Sequence, residues 1–173
     1  MQVYLRSTTG TSIKSAKGEV ELTVKLNDLL AVLEDTATFP HWLYQCKYAT
    51  TIKQPSVIER YDYILTDMPW PNWDRDVVVR SVFQQDLRSK QVTISFDSAP
   101  DLVALKPGVV RIRRMTGNMR ITPLTQGRLK LVYEVNVDPG GRIPKWLVND
   151  LVLDFPFFSL KNLREFLQTK PNK

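Results

Sequence analysis

Cysteine and histidine each occur once in these 173 residues, as Cys46 and His41. A lone thiol excludes an intrachain disulfide and any multi-cysteine metal site, and a lone imidazole excludes a metal-binding histidine pair. No Gly-x-Ser-x-Gly elbow is present, so a triad built on His41 has no marked nucleophile. Gly140-Gly141 lacks the spacing and the lysine of a phosphate-cradling loop. No run reaches the ~18 apolar residues of a membrane span, and no signal-peptide pattern opens the chain, although a cleaved leader would leave no trace. Dense charge runs are missing too. The local basic groups are Arg111, Arg113 and Arg114, and Lys161, Arg164, Lys170 and Lys173. These read first as a solvated face.

What is present fits an ordinary globule. Hydrophobic residues make up 43% and charged residues 24% of the chain, which excludes a disordered or collagenous composition and leaves room for one domain spanning 1–173. The net charge of +6 favours anionic partners such as phospholipid headgroups. Nucleic acid is not expected as a partner. No aromatic-rich nucleic-acid signature occurs, and Trp70 and Trp73 sit in a proline loop. Cys46 lies among apolar and aromatic residues, where a buried small hydrophobe is the expected role. His41, between Pro40 and Trp42, reads as a packed or capping residue.

Period-two segments fill the first four-fifths of the chain. Strands are expected at 2–6, 12–22, 43–53, 57–66, 75–86, 91–97, 109–122 and 129–137, with turns at Thr8–Thr11, Gln54-Pro55-Ser56 and Thr125-Gln126-Gly127. Helical spacing interrupts them at Val24, Leu26, Leu29, Leu30 and Leu33, followed by a short turn over 35–38 that Pro40 should stop. After Pro139-Gly140-Gly141 the period changes for good. Pro144 suits a first helical turn, and Ile143, Leu147, Leu151 and Phe155 recur every four residues. Pro156 should kink or restart that helix before Leu160, Leu163, Phe166 and Leu167 continue it. A long amphipathic helix after an antiparallel meander must dock on the sheet, giving an α+β fold.

Periodicity leaves open whether the apolar faces of these strands line a solid core or a cavity. Leu102, Val103, Ala104 and Leu105 form an apolar loop between Pro100 and Pro107-Gly108. It reads either as static packing or as a movable lid over an apolar pocket.

The order of motifs resembles the START lipid-transfer domains. The resemblance is carried by Asp138-Pro-Gly-Gly-Arg-Ile-Pro-Lys-Trp-Leu-Val-Asn149, Asp154-Phe-Pro and Ser159-Leu-Lys-Asn-Leu-Arg164. Pro69-Trp-Pro with Arg75-Asp76, the segment 35–42 and the opening Val-Tyr-Leu-Arg6 follow in the family's order. It implies a helix-grip fold, in which a curved antiparallel sheet wraps a long C-terminal helix around an internal hydrophobic tunnel. It also implies a lipid or other hydrophobic small molecule as ligand, with no cofactor, no metal and no catalytic residue. On that reading the sheet-side lining is Val77, Val79, Ser81 and Phe83, then Met119, Ile121, Leu131, Tyr133 and Val135. Leu102 and Leu105 close the mouth, and Leu147, Leu151 and Phe155 contribute from the helix. Transfer would bring transient contact with an anionic membrane surface. Two departures stand out. The family's N-terminal helix is not seen before the first strand. The buried arginine that many relatives carry six residues beyond the Arg of Arg-Asp is Ser81 here, with Arg114 as a candidate substitute. Two further readings follow from the same fold: a helix-grip enzyme of the aromatase/cyclase type, or a solid domain whose basic face meets a protein partner.

Overall fold

Apolar and polar residues that alternate along a chain make half-buried strands, and the computed structural model forms nine of them among its described residues, 2–7, 14–141, 143 and 145–169. In chain order the elements are β1 (Gln2–Ser7), β2 (Lys14–Thr23), α1 (Leu26–Glu34), a 3-10 turn (Thr36–Thr38) and α2 (Phe39–Trp42). Then come β3 (Cys46–Ser56), β4 (Glu59–Thr66), β5 (Asp74–Gln85), β6 (Val92–Ser98), β7 (Val109–Arg111), β8 (Arg114–Pro123), β9 (Arg128–Asp138) and α3 (Lys145–Thr169). Thr8–Thr11, Pro144, Lys170 and Lys173 lie outside the described residues.

Eight strands form one antiparallel path, β1-β2-β9-β8-β6-β5-β4-β3, and β7 pairs in parallel with β5. α3 lies across the sheet and buries Val152, Pro156, Leu160 and Leu163 against it. The grip is closest at Gly18 of β2. A Cβ there would stand 2.7 Å from Leu160 Cδ1 and 3.5 Å from Pro156 Cβ. This is the α+β helix-grip architecture.

Local departures from the expected pattern have physical causes. The expected single strand over 109–122 is two. Residues 109–111 first run beside β5, where the Ile112 amide donates to the Asp76 carbonyl, and the chain then crosses to pair with β6 and β9. The β3–β4 turn falls at Val57-Ile58. Pro55 stays in β3, which is an edge strand with register shifts that absorb its missing donor. Pro40 opens α2 instead of stopping a helix, because a first-turn proline has no intrahelical bond to lose. α3 runs without a break through Pro156, whose ring is fully buried against the sheet.

The core is solid at one end. Val92, Ile121, Leu129, Leu131, Leu160 and Leu163 are all buried there, four of them fully. Toward the opposite end of the same strands the interior opens.

Candidate functional site

Residues directly opposite each other in antiparallel strands share a face. The register therefore puts Arg60, Asp62, Ile64 and Thr66 of β4 on the same side as Ser81, Val79, Val77 and Arg75 of β5. That side looks inward, and between it and α3 lies a cavity. Its volume is about 170 Å³. Typical small-molecule sites span roughly 300–1,000 Å³, so the space as it stands holds part of a lipid-sized ligand and would have to widen to take a whole one.

The cavity wall includes Val77, Val79, Ser81 and Phe83 of β5, Met119 of β8, Tyr133 and Val135 of β9, and Phe155 of α3. Phe96, Tyr133 and Phe155 form an aromatic arch from sheet to helix, with ring centroids 5.9 and 6.4 Å apart. Burial pushes the Tyr133 phenol up, so it stays protonated and able to donate.

Other expected lining residues lie elsewhere. Ile121 and Leu131 share the inward face but are fully buried in the solid end of the core, beyond the cavity. Leu147 and Leu151 belong to α3, and their side chains lie outside the described residues. Leu102 and Leu105 do not line the cavity and are exposed. The reason is Arg111. Its buried guanidinium holds Asp76 at 2.7 and 2.9 Å, and it donates to the carbonyls of Pro100, Val103 and Ala104. Asp76 alternates with Arg75 and Val77 and so points away from the cavity. The loop is therefore pinned behind β5, a wall fastening instead of a lid. Arg111 also leaves the presumed basic face, while Arg113 pairs with Asp101 at 2.7 Å.

Arg114 does not replace the arginine lost at Ser81. It alternates with Met115 on β8, its side chain is 64% exposed, and it pairs with Asp138 at 2.5 Å. At the level of Ser81 the inward cation is Arg60, directly across from it on the neighbouring strand. Its Nε donates to Asp62 at 2.7 Å, and its terminal nitrogens cap the last carbonyls of α1, Leu33 and Glu34. Asp62 also accepts from Thr51 at 2.9 Å. Burial pushes the Asp62 carboxyl above the usual range, against the pull of Arg60 and Thr51. The sequence hid this pair because Arg60-x-Asp62 looks like an exposed strand face until the register is known.

The remaining singled-out residues are accounted for structurally. His41 stacks on Phe166 at 5.5 Å, with rings 2° from parallel. Cys46 is buried, and burial pushes its thiol up to about 11. No cluster of metal-ligating side chains occurs among the described residues, and no helix of theirs is long and apolar enough to cross a membrane.

Comparison with known proteins matches this geometry. A STAR-related lipid transfer protein from Xanthomonas axonopodis is 31% identical and superposes with a TM-score of 0.88, covering 96% of this chain and 93% of that one. An uncharacterized protein of Pseudomonas aeruginosa is 30% identical over 164 residues, 95% of this chain and 80% of that protein. The human StAR-related lipid transfer protein 5 shares the fold at 16% identity, with a TM-score of 0.83 over 96% of this chain and 81% of that one. A Streptomyces aromatase/cyclase shares it more distantly, at 11% identity and a TM-score of 0.64 over 90% of this chain and 94% of that one. The START domain model matches residues 2–173, and the chain belongs to that family.

Proposed function

We propose that the protein binds one lipid or other hydrophobic small molecule in the cavity between sheet and α3, and carries it without changing it chemically. One observation supports this above the rest: an internal space between sheet and helix, walled mainly by apolar side chains, inside a START fold. Removing an apolar chain from water drives binding by roughly 0.8 kcal/mol per methylene. The polar side chains Arg60, Asp62, Ser81 and Arg75 are outnumbered by apolar ones along the wall, so they orient a ligand more than they attract it.

Carriage requires contact with a bilayer. The parallel pairing of β5 and β7 brings the loops before each strand to the same end of the sheet. There Trp70 is 92% exposed, with Trp73 and Leu105 also open to solvent. Tryptophan is favoured where one side is apolar and the other wet, and the net charge of +6 suits an anionic surface.

The test is native mass spectrometry of protein expressed in bacteria, followed by vesicle-to-vesicle transfer of the molecule it retains. A one-to-one lipid adduct that reappears unaltered in acceptor vesicles is expected. Replacing Trp70 and Trp73 with Ala should slow transfer severalfold while leaving retention intact. Chemical conversion of the retained molecule would place the protein with the cyclase-type enzymes instead.

A further inference from the structure

Three arginines are buried among the described residues: Arg60, Arg75 and Arg111. Arg60 meets Asp62 and Arg111 meets Asp76, each at 2.7 Å. Arg75 is 3% exposed, and no described carboxylate lies within ion-pair distance of it. Its two sequence neighbours are spoken for. Asp74 is held by Lys47 at 2.9 Å, and Asp76 faces the other side of the sheet in the grip of Arg111.

Arg75 lines the cavity, at the end where residues 67–73 and 139–141 meet. Its donors go to neutral carbonyls: Nε to Pro139 at 3.5 Å, Nη1 to Trp73, and Nη2 to Gly140 at 3.2 Å. A guanidinium carries five N–H donors. These three bonds leave one donor on each terminal nitrogen, the pair that two anionic oxygens accept together. A buried cation hydrogen-bonded only to carbonyls, with no carboxylate in direct contact, is poorly stabilised. Burial pushes this guanidinium down, and the longer-range pull of Asp74 does not offset it. The Arg60–Asp62 pair contributes no net charge to the cavity, so among the described lining residues the charge without a contacting partner is the single positive one of Arg75.

We infer that Arg75 is an anion-binding point, and that the ligand carries one carboxylate or phosphate group on an apolar body. The body runs from Arg75 past Val77 and Val79 toward Phe83, and the anionic group sits beside the Pro139–Gly141 segment that leads into α3. This inference rests on the proposed use of the cavity as a ligand site.

The test compares three probes with the same eighteen-carbon tail on the delipidated full chain: oleate, oleoyl lysophosphatidate and neutral oleyl alcohol. Each is titrated by displacement of a fluorescent lipid. Oleate, lysophosphatidate or both should bind at least tenfold more tightly than the alcohol, and which one does identifies the source of the charge. Arg75→Gln should bring the anions down to the alcohol's level while leaving the alcohol within twofold of wild type. If that variant does not fold, Arg75→Lys keeps the charge but loses the fork, and a preference intermediate between tenfold and none supports the assignment. Equal wild-type affinity for all three probes would overturn the anion site and leave the cavity reading standing. Binding of none of them would overturn the cavity reading itself.

Discussion

Gly117→Ala should be among the most damaging single-methyl additions in this protein, and Gly18→Ala among the mildest. Both glycines lie in strands, at β8 and β2, and both adopt ordinary negative-φ backbone, so intrinsic strand preference favours alanine at each by about 0.5–1 kcal/mol. The surroundings decide the sign. At Gly18 the new methyl stands 2.7 Å from the terminal Cδ1 of Leu160, which a small rotation relieves. That cost roughly cancels the backbone gain, and the melting temperature should move by less than about 2 °C. At Gly117 the methyl would stand 2.2 Å from the Glu134 carbonyl oxygen, and 2.4 and 2.7 Å from two atoms of the Phe96 ring. The carbonyl is fixed in the β8–β9 ladder, and the ring is packed against Tyr133. Overpacking of this kind costs about 1–3 kcal/mol, and an immovable partner puts it at the upper end. For a chain of this length about 3 kcal/mol corresponds to roughly 6–12 °C. Urea unfolding of both variants followed by circular dichroism, with thermal melts alongside, measures the difference. Phe96 borders the cavity, so its displacement should also weaken ligand retention in Gly117→Ala. Equal stabilities for the two variants, or a wild-type melt for Gly117→Ala, would refute the packing described here.

Three further outcomes follow from the same structure. The Cys46 thiol, buried and pushed up to about 11, should react with Ellman's reagent at pH 8 only as fast as the protein unfolds. Glu19, Glu59, Asp74 and Asp86 are held below the usual carboxylate range, chiefly by Lys130, Arg80, Lys47 and the Ser89 amide. Groups depressed on folding contribute stability above their unfolded pKa of about 4 and lose it as pH falls through the folded value. The urea midpoint should therefore be level above about pH 5 and drop below about pH 4, and Glu19→Gln should shallow that drop. Asp62, raised by burial, works in the opposite sense, its contribution falling as pH rises through its elevated value. Finally, affinity for a homologous series of fatty acids should rise about fourfold per methylene until the cavity is full. Val79→Phe, which narrows the wall, should move that plateau to shorter chains by calorimetric titration.

The fold was largely legible because it is written in periods. Alternation in 128–138 and four-residue spacing after Gly141 reflect a sheet with one dry face and a helix with one dry stripe, and both survive any error in boundaries. Part of the cavity wall was legible for the same reason: Val77, Val79, Phe83, Tyr133 and Val135 alternate as inward residues must. What periodicity lacks is position along the strand axis. Leu131 and Tyr133 share a face, yet one fills the solid end of the core and the other borders open space. The polar wall was hidden more deeply, since Arg60 becomes an inward group only once β4 is paired with β5 in the observed register. The loop over 102–105 misled because its apolar residues suggest a moving cover, whereas the fastening residue, Arg111, comes later in the chain and reads as surface charge.

That division of the interior explains how the protein can afford an open cavity. Among the described residues, α3 is anchored chiefly by its C-terminal half. Leu160 and Leu163 are buried in the solid end of the core, the Tyr44 amide donates to Ser159 Oγ at 3.0 Å, and Phe158 and Phe166 stack on Tyr44 and His41. Only Val152 and Phe155 of the described helix side chains meet the cavity. Apolar contacts sacrificed at that end are thus separated from the contacts that hold the helix on the sheet. On the proposed carrier reading, ligand exchange would hinge on the Pro139–Gly141 segment and the first turns of α3, without release of the whole helix. The bonds from Arg75 to Trp73, Pro139 and Gly140 bind that segment to the sheet, beside Gly140 and Gly141 at positive φ. Occupancy of the Arg75 site and opening of the helix base are therefore expected to be coupled: a ligand anion draws on the same guanidinium that ties the hinge. Hydrogen exchange at residues 139–141 should respond to oleate in the wild type and lose that response in Arg75→Gln. An equal response in both would show that the hinge does not sense the anion.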